Sequence, residues 1–214
     1  MHKSTIFFDY NDLEGLKKIL SKKDVGAIIM EVERDTKPKN NFLKNVKKLC
    51  KKYSTLLIFD ECTSGFREVF GGHHLKYSVY PDIAVFGKAL GNGYAITAVL
   101  GRKDVMNTAQ DTFISSTFNT ERIGPVAALK TLEIMERTQS WKKICKIGEQ
   151  IRSEWVYLSK KNNLNINITG LKSNFKFTID SKNWIKYKTF ITQEMLKKGF
   201  LATNTIFTSI EHSD

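Results

Sequence analysis

The chain has 214 residues, of which 41% are hydrophobic, and a formal net charge of +12 from 34 Lys+Arg against 22 Asp+Glu. No apolar run approaches the roughly 18 residues that suggest a membrane span, and acidic residues interrupt the N-terminal stretch where a secretory leader would be apolar. The positive charge raises nucleic-acid binding as a possibility. Because most lysines occupy the water-facing positions of predicted amphipathic helices, such as residues 43–53, we expect neither a nucleic-acid partner nor a membrane.

The three cysteines are widely spaced, and the histidines include a single adjacent pair, His73-His74. No CxxC pair is present, so we expect neither a metal site nor disulfides. Free thiols in this number predict a reduced, cytoplasmic compartment.

Buried strands alternate with helices in the first two thirds of the chain. Apolar runs predict strands over residues 25–32, 55–61, 82–87 and 95–101, with the first one buried on both faces. Helical periodicity predicts helices over residues 11–20, 40–53, 120–138 and 141–161, with Pro125 tolerated in a first turn. This alternation predicts an α/β fold with a mainly parallel sheet flanked by helices.

The predicted secondary structure changes after the long helix over residues 141–161. The sequence predicts short strands with one solvent-facing side over residues 165–170 and 173–180. It also predicts a helix over residues 184–199, which Gly199 ends. We therefore divide the chain into a partial large domain, residues 1–138, and a small, truncated α+β domain, residues 139–214.

Polar groups stand at the ends of three predicted strands. Glu31 comes after "AIIM" in the first strand, the pair Asp60-Glu61 after "LLIF" in the second, and Lys88 after "IAVFG" in the third. Ligands of open α/β sheets bind outside the carboxyl ends of the strands. These residues are therefore the candidate site.

Lys88 has two interpretations. As a surface lysine in a glycine loop, "GKALGNG", it has no chemical role. Directly after an apolar strand, its amine would instead be partly desolvated, which makes the neutral amine available to form a Schiff base with an aldehyde. Asp60 also has two interpretations. It is a helix cap or ion-pair partner, or it holds a pyridinium nitrogen protonated beside such a lysine.

Three motifs together resemble a known family. "LIFDECTSGFR", "YSVYPDIAVFGKALGNGYAITAVLG" and "STFNTERIGPVAAL" are similar to the class III aminotransferases of pyridoxal-phosphate fold type I, and in particular to glutamate-1-semialdehyde 2,1-aminomutase-like proteins. The resemblance implies a pyridoxal 5'-phosphate enzyme that transfers an amino group, either between molecules or within one. It also implies small-molecule amino donors and keto or aldehyde acceptors, and a homodimer in the full-length form.

The resemblance assigns roles to individual cofactor residues. Lys88 matches the lysine that forms the imine and shuttles the proton, and Asp60 matches the partner of the pyridine nitrogen. Cys62 matches the residue that packs on the ring. Thr63 stands where many relatives have a glutamine near the ring hydroxyl, and Thr117 matches a threonine that reaches the cofactor phosphate of the neighbouring subunit.

Two further residues match the substrate side of the family pattern. Glu31 corresponds to the acid of an "EP" motif, although Val32 replaces the proline. Arg34 lies just beyond it and is either a partner for an acidic substrate or a surface arginine.

The chain departs from the family in its length. The resemblance implies an N-terminal part with a phosphate-binding loop and an aromatic residue that stacks on the ring, and neither is found in the sequence. We therefore interpret the chain as a fragment of such an enzyme. The alternative is an inactive fragment or interaction module that needs a separate N-terminal half.

Overall fold

A computed structural model of the chain describes residues 4–212 and divides into two compact units. The first unit runs to Gly65 and from Gly71 to Leu132, and the second contains Phe66–Phe70 and the chain from Glu133 onward. Within residues 4–212, no helix combines the length and the apolar composition needed to cross a membrane.

The first unit contains a four-stranded sheet with order β1-β2-β3-β4. The first three strands are parallel, and β4 is antiparallel to β3. The α/β fold predicted from the sequence is confirmed. The helices and strands of this unit, in chain order, are α1 (Leu13–Lys22), β1 (Ala27–Glu31), α2 (Phe42–Lys52), β2 (Leu56–Asp60), β3 (Ile83–Phe86), β4 (Ala98–Gly101), α3 (Lys103–Asn107) and α4 (Ile123–Thr138), the last of which continues into the second unit.

The register of strand pairing determines which residues lie side by side at the strand ends. Glu31 of β1 lies opposite Asp60 of β2, and Asp60 in turn lies opposite Val85 of β3. Since parallel strands run in one direction, their carboxyl ends meet at a single edge of the sheet. Glu31 and Asp60 lie on this edge, and Lys88 follows it two residues after β3 ends.

The core lies between one face of the sheet and helices α1 and α2. Leu57 and Phe59 of β2 are fully buried there, together with Val46 of α2. The amphipathic pattern of α2, with lysines on its outer side, is what places its apolar face on the strands.

The opposite face of the sheet is open among the described residues. Ile29, in the middle of β1, is 64% exposed, and burial alternates along the strand. The prediction that this strand is buried on both faces is wrong, because α1 and α2 cover the face that carries Ile28 and Met30 and leave the other side of the strand accessible.

Local sequence signals set the helix ends. Asp12 caps α1 by accepting a hydrogen bond from the Gly15 backbone N–H at 2.9 Å. Pro125 is the third residue of α4, where its missing N–H costs little. In the second unit, Gly199 follows the last helix with a φ of +85°, a conformation that glycine adopts without strain.

The second unit is a small α+β assembly. Its antiparallel sheet has order β5-β6-β7, and Trp155 packs edge-on against Phe175 and Phe177 of the central strand. The predicted boundary at residues 138 and 139 stays a prediction. The elements of this unit are α5 (Ser140–Lys161), β5 (Ile166–Gly170), β6 (Asn174–Ile179), α6 (Trp184–Lys197) and β7 (Thr205–Phe207).

Candidate active site

Asp60 and Lys88 lie at the carboxyl ends of neighbouring strands. Asp60 is the last residue of β2, and Lys88 begins a three-residue 3₁₀ turn two residues after β3 ends. Neighbouring strands of a sheet are about 4.8 Å apart, so groups at their ends lie close to one another. The sheet therefore brings an amine and a carboxylate to one edge.

Lys88 has an unusual backbone and a specific side-chain partner. Its φ of +43° lies in the left-handed region, which non-glycine residues seldom occupy. Its Nζ atom donates a hydrogen bond to the Thr63 hydroxyl, Oγ1, at 2.7 Å. Lys88 is exposed, because it lies on the turn beyond the strand, and of its two interpretations this agrees with the surface lysine.

Cys62 lies beside both Asp60 and the end of β3. Its backbone N–H donates to Asp60 Oδ1 at 2.9 Å, and a Cβ added at Gly87 would lie 3.4 Å from its Sγ atom. Burial raises the pKa of the Cys62 thiol, and its hydrogen bond to the Asp60 carboxylate raises it further. The thiol is thus held in the protonated form, as a small neutral group next to the carboxylate.

A cavity of about 820 Å³ opens beside Lys88. Asp60 does not line it; the carboxylate is connected to Lys88 through Cys62 and Thr63 instead. The volume is within the usual range for a small-molecule site. The other lining residues are Gly93, Tyr94, Ala95, Ile96, Thr97, Ser116, Phe118, Asn119, Glu121 and Pro125.

Glu121 fixes one wall of this cavity. Its carboxylate accepts backbone hydrogen bonds from Ile123 and Gly124, both at 2.7 Å, and so caps the start of α4. A negative charge at a helix N-terminus is also favoured by the helix dipole. Glu121 is not among the site residues predicted from the sequence, although an acidic residue just before an apolar helical pattern is a recognisable cap.

The remaining predicted residues are not brought together with Lys88. Glu31, at the end of β1, forms an exposed ion pair with Arg34 at 2.9 Å. Thr117 is exposed at the start of a 3₁₀ turn, and its neighbours Ser116 and Phe118 line the cavity instead. The predicted roles of these residues stay predictions.

Behind Asp60, a fully buried carboxylate organises the strand end. Glu61 is 0% exposed and accepts hydrogen bonds from the Ser64 hydroxyl and from the backbone N–H and ring Nδ1 of His74, the latter two at 2.9 and 2.8 Å. Burial alone would raise the pKa of Glu61, but the hydrogen bonds from His74 and Ser64 outweigh it and hold this pKa below its ordinary value.

A second buried pair lies beside the first. Glu33 is 2% exposed and is bonded to His73 Nε2 at 3.2 Å and to the Tyr77 hydroxyl. Burial raises its pKa, while the His73 and Tyr77 hydrogen bonds lower it by more, so the net pKa is lowered. Two adjacent histidines thus anchor the segment between β2 and β3 to two carboxylates.

The sequence marks the acidic pair Asp60-Glu61 at a strand end, but a role was predicted for Asp60 alone and none for Glu33 or the adjacent histidines. The buried position of Glu61 could be predicted in part, since successive side chains at a strand end point to opposite sides. If Asp60 faces the site, Glu61 faces the interior and needs buried donors, which His74 and Ser64 supply.

Comparison with protein-family models gives a match to the aminotransferase class-III family over residues 6–206. Among curated proteins, the 3-aminobutyryl-CoA aminotransferase of Cloacimonas acidaminovorans is 37% identical over 199 residues, which are 87% of this chain and 45% of that protein. A glutamate-1-semialdehyde 2,1-aminomutase of Sulfurisphaera tokodaii is 29% identical over 99% of this chain and 55% of that protein. The chain therefore spans about half the length of the curated relatives it matches.

Solved structures share the fold. The FumI protein of Sphingopyxis sp. MTA144, in its PLP internal aldimine form, superposes with a TM-score of 0.88 and 23% identity over 97% of this chain and 53% of that one. The acetylornithine aminotransferase of Elizabethkingia anophelis superposes with a TM-score of 0.83 and 26% identity over 95% and 54%.

Replacing Glu61 tests whether its hydrogen-bond network holds the strand end in place. Glu61→Gln should lower the free energy of unfolding by roughly 2–4 kcal/mol at pH 7, because a neutral amide cannot accept all of these bonds in the buried site. Since the folded-state pKa of Glu61 is lowered, the stabilisation is present above the unfolded-state pKa of about 4.3 and is lost as the pH falls through the folded-state value. Urea unfolding at several pH values measures this.

The matched control is Glu14→Gln, a change at a 74% exposed side chain paired with Lys17 at 3.7 Å. It should change the free energy of unfolding by less than about 0.5 kcal/mol. Equal effects of the two substitutions would contradict a structural role for the Glu61 network.

Proposed function

Because the chain belongs to the class III aminotransferase family, we propose that it carries the lysine and carboxylate half of a pyridoxal-phosphate site for amino-group transfer. The observation that carries this proposal is the placement of Lys88 and Asp60 at the carboxyl ends of two paired parallel strands, joined through Cys62 and Thr63. The match over residues 6–206 supports the same chemistry.

The residues present fit the cofactor. Lys88 supplies the amine that attaches to its aldehyde, Asp60 supplies an anion for its pyridine nitrogen, and Cys62 is a small neutral group against its ring. When bound, pyridoxal phosphate acts as an electron sink for the carbon that loses a proton. Thr63 and Thr117 are the proposed hydroxyl partners of the cofactor.

This chain's own groups handle the proton. With pyridoxal phosphate bound, the Lys88 Nζ atom would move a proton between the reacting substrate carbon and the C4′ carbon of the cofactor, as general base and then general acid. The Asp60 carboxylate would stabilise positive charge on the ring nitrogen. Glu31 and Arg34 are proposed for the substrate side, where their ion pair would open to meet an acidic substrate.

The amino donor and the keto or aldehyde acceptor are proposed to be small molecules. The matched relatives are named as an aminotransferase and an aminomutase, so both transfer between molecules and transfer within one molecule agree with the site. We place the protein in a reducing, cytoplasmic compartment on its three free cysteines. We also propose a homodimer for the full-length form and a division into domains 1–138 and 139–214.

A second candidate function rests on the open face of the sheet. Ile29 of β1 is 64% exposed, and Val99 of β4, which the register places on the same face, is 51% exposed. Apolar strand residues of this kind are usually covered in a soluble domain. Because the relatives are about twice as long, the alternative is a module that becomes active only when another polypeptide half covers this face.

Substitution of Lys88 tests the main proposal. The purified chain is incubated with pyridoxal 5'-phosphate, reduced with borohydride, and mapped by peptide mass spectrometry. The adduct should fall on Lys88 and be lost in Lys88→Ala. Asp60→Asn should weaken cofactor affinity by about tenfold or more, since it removes a charge-assisted hydrogen bond.

Lys48→Ala is the control for this lysine-rich chain, because Lys48 is an exposed lysine on α2 away from the strand ends. It should leave the Lys88 adduct unchanged. Modification spread evenly over surface lysines, with no preference for Lys88, would contradict the main proposal.

Substitution of Ile29 tests the second candidate. The chain alone should bind the dye ANS, and Ile29→Lys should reduce the fluorescence of the bound dye, because it places a charge on the open apolar face. Ser21→Lys adds the same charge on the polar surface of α1 and should leave the fluorescence unchanged. A monomeric chain whose dye binding is the same in all three proteins argues against a face that needs covering.

A further inference from the structure

The hydrogen bond between Lys88 and Thr63 joins an exposed amine to a buried hydroxyl. Thr63 is 6% exposed, whereas Lys88 is exposed, and the distance from Nζ to Oγ1 is 2.7 Å. A lysine on a surface turn has many rotamers available in water. This contact selects one of them and directs the amine toward the end of β2.

The acceptor is held rigidly. Thr63 lies in the turn after β2, where the backbone N–H of Gly65 donates to the Glu61 carbonyl at 2.8 Å. Its neighbours on both sides are also bonded, Cys62 to Asp60 and Ser64 to Glu61. A β-branched threonine has restricted χ1 freedom, so the position of its hydroxyl is set by the turn.

The backbone of Lys88 is fixed as well. Its positive φ of +43° is maintained by the turn it begins, in which Leu90 N–H donates to the Gly87 carbonyl at 3.0 Å and Asn92 N–H donates to the Lys88 carbonyl at 3.1 Å. Leu90 anchors the turn with 6% exposure. Strained residues of this kind persist where the surroundings determine them, and they concentrate at functional sites.

From this geometry we infer that Thr63 is a positioning residue for Lys88 in the chain without cofactor. The inference rests on the proposed function of the site. The hydrogen bond uses an N–H of Lys88 and not the nitrogen lone pair, so the hydroxyl orients the side chain without occupying the electron pair that bonds to an aldehyde. Thr63 therefore holds the Lys88 amine whenever that amine is not covalently engaged.

The first experiment uses the chain without cofactor. A brief pulse of acetic anhydride labels lysines in proportion to the reactivity of each amine, and peptide mass spectrometry reports Lys88 separately from the exposed reference lysines Lys48 and Lys103. Thr63→Val removes the acceptor at nearly constant shape. It should accelerate acetylation of Lys88 by about two- to tenfold, the range expected for loss of one hydrogen bond, with the references unchanged.

Thr63→Ser keeps the hydroxyl and should leave Lys88 acetylation within about twofold of the unmodified chain, a rescue that a merely structural role does not predict. Unchanged acetylation of Lys88 in Thr63→Val overturns the inference, and so does a Thr63→Ser protein that behaves like Thr63→Val. If Thr63→Val accelerates every lysine because it fails to fold, Thr63→Ala takes its place in the same comparison and is judged by the same criterion.

The second experiment adds pyridoxal 5'-phosphate and follows the borohydride-fixed adduct on Lys88 over time. Thr63→Val should form this adduct several-fold more slowly although its amine is more reactive toward the small reagent, because the amine is no longer aligned. A faster or unchanged rate contradicts positioning. If the unmodified chain forms no adduct, the proposed function fails, while the acetylation comparison still decides whether Thr63 holds Lys88.

Discussion

The parallel pairing of β1, β2 and β3 is the constraint on which the site depends. Their common direction places Glu31, Asp60 and the turn that begins at Lys88 at one edge of the sheet. The residues that make this pairing rigid are the buried apolar side chains of the strands, such as Leu57 and Phe59, and not the polar groups themselves. The chemistry of the edge is therefore a consequence of packing some distance behind it.

Buried polar pairs extend this constraint beyond the strands. Glu61 follows Asp60 directly, and its bonds to His74 tie the end of β2 to the segment that leads to β3. Asp82 links strands at the other end of β3, where its carboxylate accepts hydrogen bonds from the backbone N–H of Leu57 and from the Arg102 side chain. Each of these carboxylates is costly to bury alone, and each is stabilised by several donors.

The sequence predicted the elements well because their signals are local. The helix end at Asp12 follows from capping, and the helix end at Gly199 follows from glycine conformation. The strand that ends at Asp60 follows from an apolar run. It could not predict the open face around Ile29, because an apolar run does not reveal whether another segment covers it. Contacts between distant residues, such as Lys88 with Thr63 and Glu33 with His73, depend on the fold and leave no local pattern.

The central claim is that Lys88 and Asp60 act on one ring. The most direct measurement is a crystal structure of the chain grown with pyridoxal 5'-phosphate. The account predicts continuous density from Lys88 Nζ to the cofactor, with the ring nitrogen within hydrogen-bond distance of the Asp60 carboxylate. A ring attached elsewhere, or attached to Lys88 with its nitrogen turned away from Asp60, would contradict it.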